Sequence, residues 1–293
     1  MKLFKRSFIV AFATLSLICA TGCISVDANG KTKIFNSGNR IIPSGKIVSK
    51  SYDMGTFSSI NLNSVQDVVI TQGKHNKVTV KGSDNLIPYC KLKNQGGTLV
   101  INLSDGDKGV NVSNCDLVVY VTMKDIESVK SSGTGDIKFQ GSIRSKSLSL
   151  SVSGTSDFSL PIFSGDYLKV SISGTGDMAI GGKVTNALFS ISGTGDINAK
   201  LDGIANLSAS ISGTGDMNMT GTAETASYSV SGTGDIYAKN MIAKNVDANA
   251  NGTGDITCYA SESFTGSRSQ ITNITCYGKP KNRNFRTEGY SFP

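Results

Sequence analysis

The 293-residue sequence has no tryptophan, one histidine (His75), five prolines and only 17% charged residues. A single histidine rules out multi-histidine metal centres and weakens any Ser-His-Asp or Cys-His nucleophile. No Cys-x-x-Cys pair occurs, so no metal site is expected on that ground either. The low charged fraction argues against a highly charged disordered chain. Lysines and arginines form no stripe interleaved with aromatics, so nucleic acid is not an expected partner. No 3.6-residue apolar period appears, and past residue 22 no apolar run approaches the roughly 20 residues of a spanning helix. What is in excess is glycine: 33 of 293 residues, about 11%, against roughly 7% in an average protein. It lacks the three-residue period of collagen, which points to turns repeated at a longer spacing.

Residues 1–22 read as an export signal. Lys2, Lys5 and Arg6 form a basic start, and Phe8 to Ile18 is a nearly unbroken apolar run of eleven residues, too short to span a bilayer. Ala20-Thr21-Gly22-Cys23 follows and resembles the lipobox of bacterial lipoproteins, with Ala20 where the strongest examples carry leucine. That resemblance implies lipidation at Cys23; the alternative is ordinary secretory cleavage near Gly22. Removing residues 1–22 takes away three positive and no negative charges, so the formal net charge of +7 falls to +4. Residues 23–50 read as the anchor site and a Ser/Asn/Gly/Lys-rich tether.

Internal repetition decides the fold class. Ser132-Gly133-Thr134-Gly135-Asp136 recurs with its first glycine at 133, 154, 174, 193, 213, 232 and 252, at intervals of 21, 20, 19, 20, 19 and 20 residues. Ser156 replaces the second glycine in copy two, and Asn251 the leading serine in copy seven. Around each turn apolar residues alternate with period two: Leu148, Leu150 and Val152 upstream, Ile137/Phe139 through Ile256/Cys258 downstream. Twenty residues are too few for a βαβ crossover. An all-β chain of this period predicts a parallel β-helix, a β-solenoid of about 20 residues per coil, with like residues stacked about 4.8 Å apart in inward ladders. Each coil holds two clear strands and room for a third. The glycines serve corners that need positive φ and close stacking. Residues 126–278 form this repetitive lobe, 51–125 a β-rich lobe without the motif, and 279–293 a tail expected to cap the last coil.

Before the repeats come Asp67-Val68-Val69-Ile70-Thr71-Gln72-Gly73, then Val78-Thr79-Val80, Asp84-Asn85-Leu86-Ile87-Pro88-Tyr89, and Gly97-Thr98-Leu99-Val100-Ile101. That order, with the later Ser-Gly-Thr-Gly-Asp turns, resembles the GIN-domain family of auto-transporter adhesin heads over residues 52–278. The resemblance implies a two-lobed, single-stranded right-handed β-helix of the kind common in lipoproteins and secreted proteins of Bacteroidetes. It carries no catalytic residues.

The repeat aligns an aspartate column: Asp136, Asp157, Asp177, Asp196, Asp216, Asp235 and Asp255. Neighbouring carboxylates about 5 Å apart repel by about 0.8 kcal/mol in water, so something must compensate. Either each carboxylate accepts hydrogen bonds from its own Thr-Gly corner, or the column holds Ca²⁺; no other cofactor is expected. A polysaccharide-acting enzyme also has to be weighed, since two carboxylates at this separation match a retaining pair. Equivalent aspartates, however, lack the unlike environments that acid and base require. The enzyme reading therefore predicts a separate groove that breaks the repeat. Serines form further outward columns, Ser151, Ser171, Ser190, Ser210, Ser229 and Ser153, Ser173, Ser192, Ser212, Ser231. Cys258 with Cys276, and Cys90 with Cys115, are each either a disulfide or a pair of buried thiols. The expected function is non-catalytic and adhesin-like, on a lipid-anchored protein of the cell envelope. Its expected partners are the membrane through the anchor and a glycan or cell-surface protein. A scaffold working by self-association is the alternative.

Overall fold

The computed structural model describes residues 40–285 apart from Asp107 and Gln270, together with two short strands nearer the N-terminus. The signal segment, Cys23 and residues 286–293 lie outside the described residues. The chain divides into two units, Met1–Arg40 and Ile41–Pro293. In the first, β1 (Ile24–Val26) and β2 (Thr32–Ile34) pair antiparallel, Ile24 opposite Ile34.

The second unit opens with β3 (Ile47–Tyr52), β4 (Ser59–Leu62), β5 (Asp67–Gln72) and β6 (Lys77–Ser83). A 3-10 turn, Ile87–Tyr89, leads into β7 (Cys90–Gln95), β8 (Thr98–Asp105), β9 (Lys108–Gly109) and β10 (Val118–Met123). The first repeats supply β11 (Ser128–Ser131), β12 (Ile137–Gln140), β13 (Ile143–Arg144) and β14 (Ser147–Val152). Five long strands follow, β15 (Phe158–Ile172), β16 (Met178–Ile191), β17 (Ile197–Ile211), β18 (Met217–Val230) and β19 (Ile236–Ala250). The last are β20 (Ile256–Arg268), β21 (Ile274–Tyr277) and β22 (Asn282–Phe285).

From β11 onward every pairing is parallel, and the register follows the repeat: Phe158 faces Met178, Met178 faces Ile197, Ile197 faces Met217, Met217 faces Ile236, and Ile236 faces Ile256. This is the β-solenoid that the period predicts. A coil is one Gly-Thr-Gly corner plus one long strand. The stretch with room for a third strand is absorbed into it, because the chain bends at bulges such as Leu160/Phe163 and Leu201/Ile204 without leaving the sheet. Inward residues from Leu62 to Ile274 make one continuous core.

Residues 51–125 join the same stack. β4 pairs parallel with β11, and β5 with β12. Antiparallel strands are added around this first coil: β6 pairs with β3 and β10, and β7 with β8. The cause is local. Gly96 and Gly97 (φ +56° and +81°) join β7 to β8 as the two-residue turn that matches the twist of a hairpin. At the other end β22 lies along Ser263–Gly266 of β20, with the Phe285 ring 5.9 Å from Phe264, so the described part of the tail covers four of the 13 residues of the last long strand.

Backbone contact sets the glycines. A Cβ on Gly193 would lie 2.0 Å from the Gly174 carbonyl oxygen, and one on Gly195 2.0 Å from that of Gly176. In the middle coils the second glycine also has positive φ, +145° at Gly176, +141° at Gly195 and +139° at Gly215; among the described residues the first does not. Gly195→Ala is therefore expected to destabilise by about 3 kcal/mol. Gly203→Ala, at φ +74° with no atom within 4 Å, should cost only about 1 kcal/mol. Urea unfolding followed by circular dichroism measures both.

Candidate functional site: stacked corners and outward faces

The corners superpose as ribs. Thr155, Thr175, Thr194, Thr214 and Thr233 are bridged in register along the stack, with their side chains exposed. Each aspartate is fixed by its neighbour in the next coil. The Asp177 N–H donates to Asp157 Oδ1 at 2.8 Å, Asp196 to Asp177 at 2.8 Å, Asp216 to Asp196 at 2.7 Å, Asp235 to Asp216 at 2.8 Å, and Asp255 to Asp235 at 2.7 Å. The donor differs from the expected one: it is the next coil's aspartate backbone, not the carboxylate's own corner. The side chain leaves the corner along the stack, where that N–H is the nearest donor.

The ladder is longer than the motif. Asp67 Oδ1 accepts from the Asp136 N–H at 3.0 Å, and Asp255 Oδ1 from the Asn273 N–H at 2.7 Å. Asn63-Ser64-Val65-Gln66-Asp67 is thus a corner beneath copy one, and Asn273 continues the ladder above copy seven. The carboxylates compensate their repulsion through these charge-assisted bonds. Among the described residues no three acidic, histidine or cysteine side chains converge on one point.

A sequence profile of the family described as "Putative auto-transporter adhesin, head GIN domain" matches residues 56–202 and 200–280. The chain belongs to the GIN-domain family.

Three solved structures share the fold. One described as a putative lipid binding protein from Parabacteroides distasonis is 19% identical, with a TM-score of 0.64, covering 86% of this chain and 98% of that one. A putative adhesin from the same species is 18% identical, TM-score 0.65, covering 87% and 99%. A putative adhesin from Parabacteroides merdae is 19% identical, TM-score 0.63, covering 84% and 95%. Comparison with curated protein sequences finds no match.

Other faces of this GIN domain differ in what they offer. Ser151, Ser171, Ser190, Ser210 and Ser229 stack in register, half-buried between neighbouring strands. In the second serine column the hydroxyls turn onto the preceding coil, Ser153 to the Ser131 carbonyl at 3.3 Å and Ser173 to Val152 at 3.2 Å. Those hydroxyls serve the corner.

All four cysteines of the described residues are thiols. Cys258 faces Cys276 in register on β20 and β21. A hydrogen bond to Cys276 and then burial hold the Cys258 thiol well above the ordinary range. The same bond stabilises a thiolate at Cys276 and draws it down. Burial, with Cys115 nearby, pushes Cys90 up to about 12.

Two open hollows share Asp125 where the repeats begin. One, about 500 Å³, includes Asp53, Lys74, His75 and Lys124; the other, about 640 Å³, includes Glu127, Arg144, Lys146 and Tyr167. Gln72 ties their rims, donating to the Lys124 and Arg144 carbonyls at 3.0 and 2.8 Å. The repeat is broken here, as a catalytic groove requires. Yet Asp53, Asp125 and Glu127 are all exposed, so no pair has the contrasting environments of acid and base. No signal in the sequence places these hollows, because pairing across lobes creates them.

The aspartate ladder gives a direct test. Asp196→Asn keeps an acceptor for the Asp216 N–H and removes repulsion from two neighbours, so the melting temperature should hold or rise. Asp196→Ala leaves that N–H unpaired and should destabilise by about 1 kcal/mol.

Proposed function

We propose that this protein is a non-catalytic, adhesin-like binding module, anchored by a lipid on Cys23 and displayed from the cell envelope. One observation carries the reading: five long strands stacked in register, β15 to β19, make a stiff surface whose exposed corner threonines repeat at the strand spacing. Membership of an adhesin family supports it, as does the solvation of the acidic residues in the two hollows. Weak contacts repeated along such a surface add as linked binding events, so avidity arises without a deep pocket. No helix of the described residues is long and apolar enough to cross a membrane, which suits a lipid anchor at the chain start.

Labelled protein incubated with bacterial and host cells should bind saturably, and its unlabelled form should compete. Absence of binding to every cell and glycan surface tried would reject the adhesive reading in favour of a self-associating scaffold. For the anchor, cells fed radiolabelled palmitate should label the protein. Cys23→Ser should lose the label and move the protein to the soluble fraction.

A further inference from the structure

Outward positions after each corner form two columns on the long strands. One runs in register through Ala179, Asn198 and Asn218 to Tyr237; beside it lie Gly181, Lys200 and Thr220. Between them an open trough of about 390 Å³ crosses β15 to β18. Three features set it apart from the other faces.

Its side chains are short, Ala179 and Gly181 above all, so the hollow follows the stack axis and does not cross it. Its amides are free. Several asparagines on other faces are engaged: Asn206 donates to Asn186 Oδ1 at 2.9 Å, and Asn94 to the Met54 carbonyl at 2.7 Å. The exposed carboxamides of Asn198 and Asn218, adjacent in register, have no protein partner among the described residues. Lastly, the column runs into Tyr237, 45% exposed. Its hydroxyl donates to Asp235 Oδ2 at 2.6 Å, which pushes its pKa up to about 12 and holds the ring along the strand at both ends.

We propose that this trough binds a linear neutral glycan lying along the stack axis; this inference rests on the binding-module reading. A pyranose has an apolar C–H face and a rim of hydroxyls. The anchored ring of Tyr237, one coil beyond the trough lining and next to Asn218 in register, suits the face of a sugar at the trough's end, and a free carboxamide presents both donor and acceptor to the rim. Successive strands are about 4.8 Å apart, close to the length of one sugar ring, so each sugar advances about one coil. Acidic polysaccharides would need paired cations, and the trough lining has only Lys200. A peptide strand would need a free sheet edge, whereas the backbone under the trough is already paired on both sides.

Isothermal titration of the full chain with chitohexaose, cellohexaose, maltohexaose and mannohexaose, with alginate hexamer as the acidic comparison, tests this. At least one neutral hexasaccharide should bind. Tyr237→Ala, and Asn198→Ala with Asn218→Ala, should each weaken binding by about tenfold. Ala179→Lys, which fills the trough, should abolish it, while Asp196→Asn on the corner should not change it. Unaltered melting temperatures show that the variants fold. The trough assignment is overturned if no neutral hexasaccharide binds, if alginate alone binds, or if Tyr237→Ala and Ala179→Lys leave binding intact. Cell binding that survives Ala179→Lys overturns the trough and leaves the adhesive reading standing; no cell binding by the unaltered protein rejects both.

Discussion

Everything in this fold depends on backbone resting on backbone at the corners. Parallel strands stack about 4.8 Å apart, and the corners must close to the same spacing for the ladders on either side to stay in register. At that distance a β-carbon on the first corner glycine would fall about 2 Å from the carbonyl oxygen of the coil before. The contact is directional: each glycine faces the preceding corner, Gly154 against Gly133 and Gly133 against Ser64. The first corner has no corner before it, so Ser64 and Gln66 can carry side chains, and Gln66 sends its amide inward to the Asn102 carbonyl. Ser156 shows the other escape. Its hydroxyl is buried and bonds Ser131 Oγ at 2.5 Å, and it avoids positive φ, which among the described residues only Asn114 adopts outside glycine.

The aspartate ladder follows from that spacing. Once corners are held at one strand separation, a carboxylate at the corner's end must meet the N–H of its successor. A row of like charges thereby becomes a row of charge-assisted hydrogen bonds. The seven aspartates of the repeat are stitches between coils. One oxygen of each is committed to the next coil, and at Asp235 the second is committed to Tyr237. The inward side is equally constrained, with Ile, Met and Phe ladders filling a core without polar partners. Tyr228 interrupts these ladders, stacked between Ala209 and Ala248 with its hydroxyl unbonded.

How far the sequence reveals this structure depends on whether a feature repeats. The solenoid, its inward phase and its period are legible because Gly193, Gly213 and their equivalents answer the same steric demand once per coil. Asn63–Asp67 does the same job at the start of the stack, but it is invisible: no corner precedes it, so Ser64 and Gln66 are released from glycine. The antiparallel strands β3 and β6 were beyond reach for a related reason. Local patterning identifies each as a strand, and the Gly96-Gly97 turn pairs β7 with β8, but the pairing of β6 with β3 and β10 is settled by contacts across roughly 25 to 45 residues. The hollows around Asp125 arise from the same long-range pairing. The aspartate column could be read as a column, yet not its donor, since the two choices differ only in the direction a side chain leaves the corner.

These constraints also decide where recognition can reside. Inward positions are occupied by the core, glycines by backbone contact, aspartates by the ladder, and corner serines by the carbonyl beneath them. What is left to vary without cost to the stack is the outward side chain on the long strands. There the repeat lapses: Ser159, Ala179, Asn198, Asn218 and Tyr237 occupy one column with different chemistries. A position that the fold leaves open, and that nevertheless gathers free amides beside an anchored aromatic ring, is best explained by a demand from outside the fold.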